Sequence, residues 1–553
     1  MGAVARTGAP ADTPVAVGAR APAGTGALAG TGALVRLALR RDRVMLPVWV
    51  AVFVVSAAGS ASATAGLYPD VASRVQAAAG FNNAGSLVAL YGHVYDPTSL
   101  GAVAMLKLTG FGAALVGVLC MLTVVRHTRA EEEAGRLELL GSAVLGRRAA
   151  LTAALVVSSG TAVAIGALAA AGLAAAGLPA GGSVAFGSAW AGTGIAFGAV
   201  AAVSAQVSRS ARTATGLAAA VLGGAYLLRA AGDSAGPAWL SWLSPVGWGQ
   251  QVRPYAGDRW WVLLLPAGFA VVACAAAYTL VARRDLGAGL LPDRAGPATA
   301  APVLRSPLAL AWRLHRGVLL AWLAGFATLG AVLGNIAAGV GDLLDSPQAR
   351  DMIMALGGRQ GLTDAFLAAE LGFVGVIASA YGIQAVLRLH VEEAGLRAEP
   401  VLATAVGRLR WAGSHLAIAF AGTATLLVTA GLAAGLAHGA RTGDMGQVGR
   451  VLAGALVQLP AIWVLVGVAV AAFGLVPRAS AAGWVALVVF LLLGELGPLF
   501  KISHWAMDAS PFTHVPKLPG GHLTAAPILW LLGLAAALTL AGLAGLRRRD
   551  VPA

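Results

Sequence analysis

Residues 128–148 read TRAEEEAGRLELLGSAVLGRR, and they stand between two apolar runs, 103–125 and 150–174. A helix that crosses a bilayer takes about 20 apolar residues, and each of these runs is long enough. Three adjacent glutamates, Glu131, Glu132 and Glu133, do not belong in hydrocarbon, where an ionised carboxylate is strongly disfavoured. The segment is therefore a polar connection between two membrane helices. The rest of the chain agrees. Its 553 residues are 58% hydrophobic and 11% charged, with a mean hydropathy of +0.78, whereas a soluble domain carries about a quarter charged residues. Twelve runs can span, at 45–65, 103–125, 150–174, 184–206, 213–230, 261–282, 317–339, 366–387, 411–437, 451–475, 480–499 and 525–546. Lipid cannot satisfy open backbone groups, so runs of this kind are helices. The fold class expected is an all-α polytopic membrane protein. The 74 glycines suit close helix packing in lipid. Cys120 and Cys274 both fall inside apolar runs and read as packing residues.

A net charge of +14 would suggest nucleic acid if the arginines were clustered on one soluble face. They are not. With the N-terminus inside, 27 of the 38 basic residues fall on the cytoplasmic side, as the positive-inside rule requires. The charge is a topology signal, with both termini cytoplasmic and the chain multi-pass in a bacterial plasma membrane.

The spans divide six and six. RDRVMLPVW (41–49) aligns with LHRGVLLAW (314–322) before spans one and seven; EEAG recurs at 132–135 and 392–395; Ser244-Pro245 and Ser510-Pro511 precede each sixth span; RRD closes both halves at 283–285 and 548–550. Four markers in one order indicate a duplicated six-span unit. An even number of spans returns the chain to the same side, so the two halves are parallel. The organisation expected is a disordered cytoplasmic tail 1–33, a first permease half 34–285, a Pro-rich linker 286–304 and a second half 305–553.

The acidic segment has an echo, LHVEEAGLRAEPVLATAVGRLR, at 389–410. Acidic residues favour a helix N-terminus and arginine a C-terminus, so each cassette is expected to form a short cytoplasmic helix under the span ends. Aligned on EEAG, the second cassette has Leu396 inserted, and Pro400 stands where Leu139 does. The pair EEEAGRLELLGSAVLGRR and EEAGLRAEPVLATAVGRLR, with LSPVGWGQQVRPYAGDRWW (243–261) before span six, resembles the permease subunit of type-two ABC exporters in its fused two-half form. More narrowly it resembles actinobacterial exporters of polyketide antibiotics, the tetronasin-type group. The resemblance covers roughly 34–553. It implies that the cassettes are coupling helices for an ABC-type ATP-binding subunit, two copies in all. The implied contacts are Glu131, Glu132, Glu133, Arg136 and Glu138, and Glu392, Glu393, Arg397 and Glu399. It also implies a surface-lying amphipathic helix before the first span. Arg36, Arg40 and Arg43 have the spacing for one, and Arg305, Arg313 and Arg316 for a second.

This chain has no nucleotide site of its own. A P-loop needs Gly-Lys-Ser/Thr, and the three lysines, Lys107, Lys501 and Lys517, follow Leu, Phe and Pro. ATP and Mg²⁺ therefore belong to the partner, and no cofactor, metal site or catalytic residue is expected in this chain. Tryptophans at 239, 242, 248, 260 and 261 read as an outer interfacial belt or an exit lip. Three charges fall within spans, Lys107, Glu370 and Glu495, and are candidates for the path of a hydrophobic or amphipathic small molecule between the halves. Two other functions remain. An ion-coupled secondary transporter would need more intramembrane acids. A lipid-linked-sugar glycosyltransferase would use external carboxylates such as Asp70 and Asp96, but needs no duplication.

Overall fold

The structure, a computed structural model, describes residues 26–83, 85–141, 145–234, 237–285, 287–290, 299, 301–339, 358–479, 481–496 and 503–549. Every regular element among them is helical. Among the described residues eleven helices are long and apolar enough to cross a membrane, so the chain is a polytopic all-α membrane protein. It forms two compact units, Met1–Arg294 and Ala295–Ala553. Most of the expected tail, residues 1–25, and residues 286, 291–298 and 300 of the expected linker lie outside the described residues.

In the first unit, helix α1 (Thr31–Arg41) precedes span one, α2 (Met45–Leu67). Short helices α3 (Val71–Asn83) and α4 (Gly85–Tyr91) lead to span two, α5 (Leu100–His127). Ser99 caps α5 by accepting from the Ala102 amide at 3.3 Å. The first cassette forms α6 (Arg129–Glu133) and α7 (Arg136–Gly141). Spans three to five are α8 (Ala149–Ala175), α9 (Ala180–Val207) and α10 (Ala211–Ser234). Two short helices, α11 (Trp239–Trp242) and α12 (Pro245–Gln251), and a 3-10 turn (Trp260–Leu263) precede span six, α13 (Leu264–Arg283).

Small residues set the helix spacing. Gly166 on α8 and Gly187 on α9 face each other so closely that a methyl on either would run into the other's carbonyl oxygen. This is the close approach that replaces hydrophobic drive inside lipid. Trp190 is fully buried against Phe186 and Phe53, and its indole donates to the Leu108 carbonyl at 2.9 Å.

At the face opposite the cassette, a buried arginine ties the short helices together. Arg229 on α10 donates to the carbonyls of Ala89 (2.7 Å) and Leu90 (3.0 Å) at the end of α4, and lies 4.4 Å from the Tyr226 ring. Three non-glycine residues in the loop after α12, Arg253, Tyr255 and Asp258, have positive φ. They are held by the Tyr255 amide donating to Asp258 and the Tyr255 hydroxyl bonded to Ser183. Burial pushes the Tyr255 phenol up to about 12. The tryptophans sit on this face, with Trp242 and Trp261 stacked at 5.6 Å.

The second unit repeats the plan: α14 (Pro307–Gly339), α15 (Gly358–Ala394), the cassette turn α16 (Glu399–Leu402), α17 (Arg408–Thr442), then α18 (Gln447–Leu456) continued by α19 (Leu459–Leu475). After them come α20 (Ala482–Leu496), the short α21 (His504–Met507) and α22 (Ala525–Arg548). Gly474 on α19 and Gly542 on α22 repeat the carbonyl-to-glycine approach. His315 and His415 are buried and hydrogen-bonded ring to ring at 2.9 Å.

Of the run 480–499, Ala482–Leu496 is helical, and residues 480 and 497–499 lie outside the described residues. One expectation changes, that of two matching amphipathic helices. The first half has a separate α1, whereas in the second half Pro302–Arg305 makes a 3-10 turn and α14 runs on unbroken for 33 residues.

Candidate functional site

The first cassette begins where α5 breaks at Thr128, whose φ of −122° and ψ of −88° are not helical. The break turns α6 back under the unit. Glu131 and Glu132 are thereby buried rather than offered to solvent. Glu131 receives Arg136 through two bonds, at 2.8 and 2.9 Å, and Arg41 from the end of α1 at 2.7 Å. Glu132 receives Arg284, from the end of span six, at 2.6 and 3.0 Å, Arg129 at 3.1 Å, and the Gly287 amide at 2.7 Å. Two-pronged guanidinium–carboxylate pairs are the stronger and more directional kind. The Glu131 carboxylate holds Arg136 above the usual guanidinium range. Glu133 is exposed, yet it accepts from the Ala211 amide at the start of α10 at 2.9 Å, where a carboxylate suits the helix dipole. Arg147 closes the arrangement by donating to the Val281 and Arg284 carbonyls, at 3.1 and 2.6 Å. A cavity of about 650 Å³ lies beside this network, lined in part by Leu137, Gly146 and Gln206.

The second cassette reproduces these ties. Glu392 receives Arg397 at 3.0 Å and Arg388 at 2.6 Å. Glu393 receives Arg549, from the end of the last span, at 2.6 Å. Arg408 donates to the Arg549 carbonyl at 2.6 Å. The pairs Glu131–Arg136 and Glu392–Arg397, Glu132–Arg284 and Glu393–Arg549, and the carbonyl bonds of Arg147 and Arg408, therefore correspond one to one. This corrects the sequence alignment. Leu396 is not inserted: it stands at the place of Gly135. Both have left-handed backbone, φ 70° at Gly135 and 55° at Leu396, and the amide of each donates to the carbonyl of the second glutamate at 3.0 Å. That is a left-handed helix cap, usually given to glycine because a Cβ is strained there. Gly395 is thus the partner of Ala134, and Ala394 that of Glu133.

The structure brings most of the candidate residues together, but in two roles. Glu132 and Glu393 are inward ties between the cassette and the end of the sixth span, while Glu131 joins Arg136 to Arg41 of α1 and Glu392 joins Arg397 to Arg388 of its own helix. Arg136 and Arg397 stay about half exposed, and Glu138, Leu396 and Glu399 are exposed. Lys107 is exposed on α5, 5.9 Å from the Tyr91 ring, and Glu370 is half-buried on α15. Glu495 falls in the last turn of α20, and its side chain lies outside the described residues. Sequence reasoning missed Arg284 and Arg549 as partners, although RRD was in view as a mark of duplication. It also missed Asp42, fully buried between His127 at 2.6 Å and Arg126 at 3.0 Å.

Known proteins match both units of the chain. Residues 304–547 match the family described as the C-terminal domain of the multidrug efflux system permease Rv1217c. Over 537 residues the chain is 49% identical to the multidrug efflux system permease protein Rv1217c of Mycobacterium tuberculosis, and the match covers 97% of each chain. The chain belongs to this family of efflux permeases. Both halves of the permease lie within the match.

Proposed function

We propose that the permease is the membrane-spanning subunit of an ATP-driven ABC exporter, in which separate ATP-binding subunits dock one to each cassette and hold the ATP and Mg²⁺. The observation that carries this reading is the duplicated tie. In each half a buried glutamate joins the cassette to the end of the sixth span, while charged residues beside it stay exposed: Arg136 and Glu138 in the first half, Arg397 and Glu399 in the second. A partner that grips the exposed face moves the ties and, through them, two spans of that half. The missing P-loop supports a separate ATPase, and the arginine bias supports cytoplasmic cassettes and termini in a plasma membrane.

The cargo is a hydrophobic or amphipathic small molecule, an antibiotic within the narrower resemblance, in keeping with the multidrug efflux that the relative's name states. Lys107, Glu370 and Glu495 are the charged candidates along its path. The test is to co-express the permease with a P-loop ATPase encoded beside it, co-purify the two, reconstitute them, and follow drug transport on adding ATP. Transport that needs ATP and an intact P-loop lysine in the partner is expected. Transport by the permease alone, driven by a pH gradient, overturns the reading in favour of a secondary transporter.

A further inference from the structure

The two halves differ at one place where the duplication predicts sameness. In the first unit α1 lies along span three: Ala38 is buried with Leu46 and Val157, and Val35 and Met45 pack against them. The offset that carries Arg147 to Arg408 carries Val157 to Ile418 on α17. In the second unit α14 itself, running straight from Pro307, packs along α17 at this site, so that Ala311 and Ile418 are both buried. With no separate counterpart of α1 among the described residues, a groove of about 640 Å³ lies on the outer side of this contact, lined by Leu304, Leu308, Trp312, Arg313, Arg316 and Ile418.

Its chemistry is mixed in a particular way. Leu308 and Trp312 are each 51% exposed, which gives an apolar floor. Arg313 and Arg316, one turn apart, are exposed and have no ion-pair partner among the described residues. The level of the groove is also fixed. α14 has 33 residues, about 50 Å of helix, against a hydrocarbon core of about 30 Å. Its first turns therefore reach the headgroup layer, where tryptophan and arginine collect.

We propose that this groove binds an anionic phospholipid of the leaflet on the cassette side, with its acyl chain along Leu308, Trp312 and Ile418 and its headgroup between Arg313 and Arg316. Charge decides between lipids. A zwitterionic headgroup brings its own cation to the two guanidinium groups, whereas an anionic one does not, and basic pockets at span ends favour anionic headgroups.

Trp312 is the reporter. The full-length permease is reconstituted in nanodiscs that carry, at equal mole fraction, phosphatidylglycerol or phosphatidylcholine brominated near the carbonyl end of the acyl chain. The Trp312 contribution to quenching is taken as the difference from a Trp312→Phe variant. The expected result is an apparent preference for phosphatidylglycerol of about 30-fold, the size that two arginines near one anionic headgroup give. That preference disappears in Arg313→Gln with Arg316→Gln and persists in Arg40→Gln with Arg43→Gln, exposed arginines of the first half. Equal quenching by the two lipids overturns the proposal in favour of bulk lipid. Loss of the preference in the Arg40/Arg43 control overturns it in favour of overall surface charge. No quenching by either lipid overturns it by showing that protein covers the groove.

Discussion

Arg284→Gln tests whether the cassette is tied to span six or merely lies near it. The Glu132 side chain is 4% exposed and receives two bonds from Arg284, at 2.6 and 3.0 Å. Removing one partner of a buried ion pair costs about 3–5 kcal/mol, because the other charge stays behind without water. Here the cost falls to about 3 kcal/mol, since Arg129 at 3.1 Å and the Gly287 amide at 2.7 Å still hold the carboxylate. For a unit of this size each kcal/mol moves the midpoint by about 2–4 °C, so the expected drop is roughly 6–12 °C. Cys120 is a built-in probe: it is fully buried in the first unit and becomes accessible to a maleimide dye only on unfolding. The half-buried Cys274 is first changed to serine to remove its signal. Arg283→Gln, next door and exposed, sets the baseline, because surface changes stay within about 0.5 kcal/mol. In Glu132→Gln with Arg284→Gln the unpaired carboxylate is gone as well, but Arg129 stays buried without its acid, so only about 1 kcal/mol of the summed loss returns. A drop for Arg284→Gln no larger than that for Arg283→Gln refutes the tie.

Other outcomes follow from the same geometry. Glu138→Lys and Glu399→Lys leave the Cys120 melting midpoint unchanged, since both residues are exposed, but they weaken co-purification of the ATPase, because like charges brought together at an interface cost several kcal/mol. Glu132→Lys instead lowers that midpoint, since it buries a lysine beside Arg129 and Arg284. Leu396→Gly relieves a left-handed Cβ and stabilises the second cassette by about 1 kcal/mol, whereas Gly135→Ala destabilises the first by a similar amount. Limited proteolysis of each cassette, resistance rising in one and falling in the other, checks the pair. Cysteines placed at positions 10 and 552 of a cysteine-free chain label only after the membrane is permeabilised, and labelling of intact cells refutes the cytoplasmic termini.

The spans were legible because lipid demands long apolar runs, and a run needs no partner to be recognised. The cassettes were legible in place but not in register. Gly135 and Gly395 look equivalent in a row of letters, and aligning them makes Leu396 an insertion. The backbone instead aligns left-handed positions, and one of these is filled by a leucine, the residue a glycine-based alignment discards. Partners were the least legible part, because Glu132 and Arg284 are 152 residues apart, and Glu393 and Arg549 are 156 apart. Yet both members of each pair were already in view, as EEAG and RRD, counted as separate signs of duplication. They are the two ends of one ion pair. A glutamate kept buried without its arginine would be an uncompensated charge, so neither motif can drift without the other. The signs of duplication are thus fewer than they looked, and the link between them is physical: each half holds its cassette to its sixth span by the same bond.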